Sequence, residues 1–376
     1  MSWLDRYQSF LYLLSLSLGA ALSLVLGVEG TAWCELLVPA VLGVLLWANF
    51  MGIPFFSVDS SARASRSLSA EVARILPVIL TVNCVLNPLI VSVLLVLFLP
   101  GAGVESYAVA IILLAPCIDY VVVFTRLAGG SWQPLLALTP LLLSVQAIYI
   151  PILTCIYSYI GILPIIHIEG FGGWTEGYGI VILVLLLPFG AAIALQYLLR
   201  HAPRTPSAAL RTASYIARIL STSAERFMVP LMCLLLLVMA AAYTAPVVHS
   251  REIEHLGPIA AVYILYGALS AAAAYTLARM SARLDRSDSI AVSMSAATRN
   301  ALVIFPVVSV LAVSLRHYPG AQLMRLSVVL QTLCEIIILL ALVVIFHCTS
   351  PRGSGRQKNQ EQKLTGKQKL TDRNLR

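Results

Sequence analysis

Before residue 358 the chain contains no lysine. Charge of either sign is scarce: Asp, Glu, Lys and Arg make up 11% of 376 residues, against about 25% in an ordinary soluble domain. The deficit runs through nearly the whole length, which excludes a soluble domain carried by a single anchor. No H-E-x-x-H, G-x-S-x-G or nucleotide-binding fingerprint occurs, so neither a common hydrolase nor an ATP-driven pump is indicated. An intramembrane enzyme or a receptor stands as the alternative class to a transporter. The seven cysteines show no paired C-x-x-C spacing, which argues against a zinc site and a disulfide framework. Cys34, Cys84, Cys155, Cys233, Cys334 and Cys348 lie in, beside or at the end of apolar segments and read as small packing residues. No metal or cofactor is expected.

What the chain has in quantity is apolar length. Hydrophobic residues are 59% of the total, and the mean hydropathy is +0.90. Crossing roughly 30 Å of hydrocarbon takes about 20 apolar residues per helix. Polar breaks divide the sequence into about ten such stretches, near 10–28, 35–54, 74–99, 106–126, 134–160, 178–199, 227–247, 257–278, 288–314 and 322–347. The first is too long for a signal-peptide core and has no clear small-residue cleavage site after it, so it reads as a span. The fold class expected is therefore an all-α polytopic membrane protein, with residues 1–350 as one transmembrane domain.

The net charge of +8 does not point to nucleic acid, because of where it sits. Four lysines (Lys358, Lys363, Lys367, Lys369) and four arginines (Arg352, Arg356, Arg373, Arg376) lie after Pro351. That segment, 351–376, is polar and aperiodic and reads as a disordered basic tail. The remaining arginines alternate by loop. Arg63, Arg66 and Arg74 flank the second loop, Arg126 the fourth, Arg200 to Arg226 the sixth, and Arg279, Arg283 and Arg286 the eighth. The odd loops hold only Arg251 and Arg316, and Arg325 opens the last span. Positive charge marks the cytoplasmic side. Both termini are thus expected in the cytoplasm of a multi-pass protein of the cell membrane, with the lipid bilayer as its partner. Five spans per half is an odd number, so the second half (about 176–348) enters the membrane opposite to the first (about 8–162). Inverted repeats of this kind are common in secondary transporters.

Ionisable groups at membrane depth are costly and are functional hypotheses by default. Asp119, Arg299 and Glu335 lie inside spans, and Glu35 lies nearer an interface. Pro116 removes a backbone donor and clashes with the turn before it, so the fourth helix is expected to break beside Cys117 and Asp119. Asn83 and Asn87, at i, i+4 before Pro88, form a second polar cluster. Ser293, Ser295, Thr298 and Asn300 form a third. The structural alternatives are interhelical glue for the amides and a helix-locking pair for Asp119 and Arg299.

LLAPCIDYVVVFTRLAGG, the preceding NCVLNPLIVSVL, SAATRNALVIFPVVSVL and VLQTLCEII together resemble the arsenite-efflux (arsenical-resistance) family of the bile acid:sodium symporter-like superfamily. The resemblance covers about residues 10–348. It implies ten spans in two inverted repeats, with broken fourth and ninth helices crossing at the substrate site. It also implies export of arsenite or antimonite in exchange for protons. The family's essential thiol falls on Cys117, a soft ligand suited to trivalent arsenic. Substrate binding is expected of Cys117, Asn87, Thr298 and Asn300, and coupling of Asp119, Arg299 and Glu335. One departure stands out: Leu302 or Val303 occupies the place of the family's ninth-span acid, while Arg299 introduces a cation. That cation suits ion-coupled transport of an organic anion, driven by sodium or protons, as the alternative function.

Overall fold

The computed structural model describes residues 3–52, 62–101, 103–116, 121–164, 186–197, 208–249 and 251–349. These are almost entirely helical, and among them no strand occurs. The helices are α1 (Trp3–Gly52), α2 (Ala62–Thr81), α3 (Asn87–Phe98), α4 (Glu105–Leu114), α5 (Val121–Leu127) and α6 (Trp132–Tyr159). They continue with α7 (Leu186–Tyr197), α8 (Ala208–Val248), α9 (Leu256–Met280), α10 (Arg286–Ala297), α11 (Ala301–Ser314) and α12 (Ala321–Cys348). Five helical stretches are long and apolar enough to cross a bilayer: Tyr7–Met51, Leu68–Phe98, Phe227–Val248, Glu252–Met280 and Ala321–Cys348. Leucine, isoleucine and valine lie exposed along them, for example Val25, Leu36, Leu97, Ile264 and Val344. In water such surfaces would aggregate; in lipid they are the natural exterior. The chain is an all-α, multi-pass membrane protein.

Three boundaries differ from the hydropathy reading. The first two expected spans are one helical segment, broken one residue before VEGTAW, where Gly27 takes φ 70° and ψ −174°. Glycine reaches that region at no steric cost, which is why the break falls there. The second loop is already helical from Ala62, and α8 begins at Ala208, well before the apolar run at 227. Hydropathy cannot register such extensions, because a helix continues as long as its backbone bonds are met.

Packing follows small residues. α1 lies along α8, where a Cβ on Gly19 would stand 2.3 Å from the Leu237 carbonyl oxygen and 2.9 Å from Ala240 Cβ. Close approach at small residues is how helices associate without a hydrophobic driving force in lipid. Further along the same seam the Ala245 amide donates to Ser23 Oγ at 2.8 Å. α3, α6, α11 and α12 pack against α4, whose residues Ala108 to Leu114 are all buried, as is the N-terminal half of α11. At one end Arg74 of α2 pairs with buried Asp288 of α10 at 2.6 Å. Arg286 caps α12 there, donating to the Thr349 carbonyl at 2.8 Å and that of Phe346 at 3.2 Å. Cys34 and Cys334 are buried, Cys84 and Cys233 half-buried, and Cys155 and Cys348 exposed; all six are free thiols.

Candidate functional site at the crossing of two helix breaks

Two helices stop in mid-protein and meet. Pro116 has no N–H to give the Ile112 carbonyl, which instead takes the Ala115 amide at 3.2 Å; Ala115 then turns extended (φ −88°, ψ 108°). On the other side α10 ends at Ala297, and Thr298 is extended (φ −91°, ψ 140°) before α11 begins at Ala301. The two stretches pair as an isolated antiparallel bridge between Pro116 and Arg299, and the Asn300 amide donates to the Ala115 carbonyl at 2.9 Å. Each break thus satisfies part of the backbone that the other releases. This is the condition under which irregular backbone survives away from water.

The bridge leaves a second set of groups to satisfy. In an unbroken helix the Ala296 carbonyl would accept the Asn300 amide. That amide is now turned to Ala115, and Ala296 accepts instead from the Arg299 guanidinium (Nη2) and the Tyr266 hydroxyl at 3.2 Å, with Ser270 Oγ at 2.9 Å. The Arg299 amide, likewise released, donates to Glu335 Oε2 at 2.9 Å. Gln331 donates to the same oxygen from one turn earlier on α12. Arg299 also donates from Nη1 to Asn83 Oδ1 at 3.2 Å and stacks over the Tyr266 ring, 5.1 Å from its centre. The side chain is 1% exposed, and among the described residues its guanidinium forms no ion pair.

A third irregularity feeds the same place. Residues Val82–Leu86 form a π-helical turn between α2 and α3, a feature frequent at functional sites. Pro88 cannot donate to the Cys84 carbonyl, and the Tyr149 hydroxyl of α6 does so at 2.7 Å. The turn holds Asn83 against Arg299, while Asn87 donates to Asn83 Oδ1 at 3.3 Å, and its own Oδ1 shares the single Ser270 hydroxyl proton with the Ala296 carbonyl. Among the described residues, three buried polar atoms near the crossing have no hydrogen-bond partner: Arg299 Nε, Asn300 Nδ2 and Gln331 Oε1. Two donors and one acceptor left open in a dry site are what a small oxygen-bearing solute can satisfy.

Of the residues singled out by sequence, Asn83, Asn87, Arg299, Asn300, Glu335 and Pro116 come together here. Thr298 is buried at the break, but its hydroxyl is spent on the Met294 carbonyl at 3.0 Å. Ser293 donates to the Ala271 carbonyl of α9 at 2.9 Å. Cys117 and Asp119 lie outside the described residues, as do the tail 351–376 and the glycine-rich loop 165–179. Sequence reasoning missed Tyr266, Ser270, Gln331 and Tyr149. Tyr266 with Ser270, and Gln331 with Glu335, repeat the i, i+4 spacing that marked Asn83 with Asn87, and that repetition was the available signal. No family model matches the chain, and no curated protein matches it.

Proposed function

We propose that the chain is a secondary active transporter that exports arsenite or a related metalloid in exchange for protons, with its substrate site at the crossing. The observation that carries this reading is the pairing of two interrupted helices, backbone to backbone, inside a buried shell of Arg299, Asn83, Asn87, Gln331 and Glu335. Discontinuous helices that expose backbone groups and helix ends at mid-depth are how such transporters bind a polar solute without a resident cofactor. Cys117 follows Pro116 directly in the chain and supplies the thiol that trivalent arsenic prefers. Glu335, an acid whose partner is a backbone amide of the break, offers a group on which proton gain or loss bears directly on the crossing.

The fold that goes with this reading has about ten spans in two inverted five-span repeats. α4 with α5 and α10 with α11 are then the equivalent broken helices. Both termini lie in the cytoplasm and the protein resides in the plasma membrane. A second reading, ion-coupled transport of an organic anion, is favoured by one observation: a buried cation at the crossing, the Arg299 guanidinium, which forms no ion pair among the described residues. The two readings separate in everted vesicles. Arsenite accumulation that depends on an imposed proton gradient supports metalloid export. Gradient-driven movement of a small carboxylate with none of arsenite supports the anion reading. Neither, with the protein inserted, rejects transport of both classes.

A further inference from the structure

Away from the crossing, one charged pair ties together three helices. Glu35 of α1 forms an ion pair with Arg325 of α12, and the Arg325 guanidinium lies over the ring of Tyr243 of α8, 5.5 Å from its centre. Tyr243 in turn packs against Phe305 of α11, with ring centres 5.8 Å apart. The two charges are unequally wet: Glu35 is 50% exposed and Arg325 20%. Arg325 Nε is buried and has no hydrogen-bond partner among the described residues, which satisfy the guanidinium only in part.

Position gives the pair a meaning. α1 and α8 form one packed seam, closed by Gly19 and Ser23, whereas α12 carries Gln331 and Glu335 of the crossing. The pair therefore joins the α1–α8 seam to the helix that holds the site. Arg325 precedes Glu335 by ten residues on one helix, about 15 Å along its axis at 1.5 Å per residue. That is about half the hydrocarbon thickness, so a carboxylate at mid-depth puts Arg325 near one face. The arm of α1 that bears Glu35 leaves the first half of the helix at Gly27, with φ 70° and open space where a Cβ would be. A hinge residue on one side of the pair and a partly satisfied cation on the other are the parts of a closure that can release.

We propose that Glu35 and Arg325, seated on Tyr243, form a latch that closes one end of the path to the crossing, with Gly27 as the hinge of the moving arm. Under the topology above, this is the external end. The purpose of the latch rests on the transport reading, but its existence does not. Closed, it covers Cys34, which is 1% exposed and lies on the same inward stripe of the arm as Val38 and Leu42. Open, it uncovers that thiol.

Cys34 is therefore the reporter. The full chain is expressed with Cys84, Cys117, Cys155, Cys233, Cys334 and Cys348 changed to serine. It is then labelled with a membrane-impermeant maleimide in intact cells and in everted vesicles. Loss of an exposed-pair interaction on an aromatic seat should raise the Cys34 labelling rate by roughly threefold or more in Glu35→Gln and in Arg325→Gln. The charge-swapped variant Glu35→Arg with Arg325→Glu should return towards the parent rate. The two single variants back each other up should one fail to insert. Unchanged labelling in the inserted single variants overturns the latch, as does a swapped variant that labels as fast as the singles. A response of Cys34 in the reporter protein, together with a parent chain (Cys117 intact) that moves neither arsenite nor a carboxylate, would sink the transport reading and leave the latch standing.

Discussion

Arg299 shows what a single residue does at a broken helix. Its backbone amide reaches Glu335, while its side chain replaces the hydrogen bond that Ala296 loses to the break, so one residue serves both sides of the interruption. Changing Arg299→Ala strips donors from Asn83 and Ala296 in a dry site. A hydrogen bond made by a charged group is worth about 1.5–3 kcal/mol, and two are lost, so the melting temperature of the purified protein should fall. Glu335→Gln is a gentler change, because the amide oxygen still accepts the Arg299 N–H. It should insert and melt near normally yet lose proton-driven uptake in vesicles; retained driven uptake would remove Glu335 from coupling. The thiol carries its own test. Cys117→Ser should abolish arsenite transport at normal expression, whereas Cys84→Ser and Cys233→Ser should leave it intact. Full activity without Cys117 would deprive the metalloid reading of its chemistry.

Helices in this protein are shaped by where a donor is missing or a side chain would not fit. Pro88 orphans the Cys84 carbonyl, and Tyr149 on another helix answers it. Tyr149→Phe leaves that carbonyl buried and unpaired, a loss of about 1–3 kcal/mol. Thermal unfolding in detergent should register it, and an unchanged midpoint would mean that the π-helical turn is held by other contacts. On the α1–α8 seam the constraint is room. Gly19→Ala would set a methyl 2.3 Å from the Leu237 carbonyl oxygen, against backbone that cannot rotate away. The two helices must part, and overpacking of this kind costs about 1–3 kcal/mol. The same thermal assay, or loss of mature protein from the membrane, would show it.

The whole molecule is held by polar atoms as much as by apolar ones, since lipid rewards neither face of a Leu–Leu contact over the other. Ion pairs tie its ends, Arg74 with Asp288 and Glu35 with Arg325, and the double break ties its middle. Orientation is a property at this scale and belongs to the loops. A reporter fused after Leu375 should read as cytoplasmic and one inserted at Gly172 as external. Both on one side would overturn the ten-span arrangement and the placing of the latch at the external end.

Composition and the order of apolar runs sufficed for an all-α, multi-pass membrane protein, because transfer into hydrocarbon depends on local residue content and little on partners. Pro116 sufficed for the first break, since a missing N–H is a covalent fact. The second break has no such mark: nothing in Ala296–Asn300 forbids a helix, and it opens only because the Asn300 amide has Ala115 to bond and the Arg299 amide has Glu335. Likewise the helical start at Ala62 lay in a stretch that hydropathy reads as loop, because caps and backbone bonds, not apolarity, end a helix. Which of the scattered polar residues share one site was decided by tertiary structure alone. Asn83, Ser270, Arg299 and Glu335 are far apart in the chain, and only the packing of the π-helical turn, α9, the break between α10 and α11, and α12 sets their hydrogen bonds against one another.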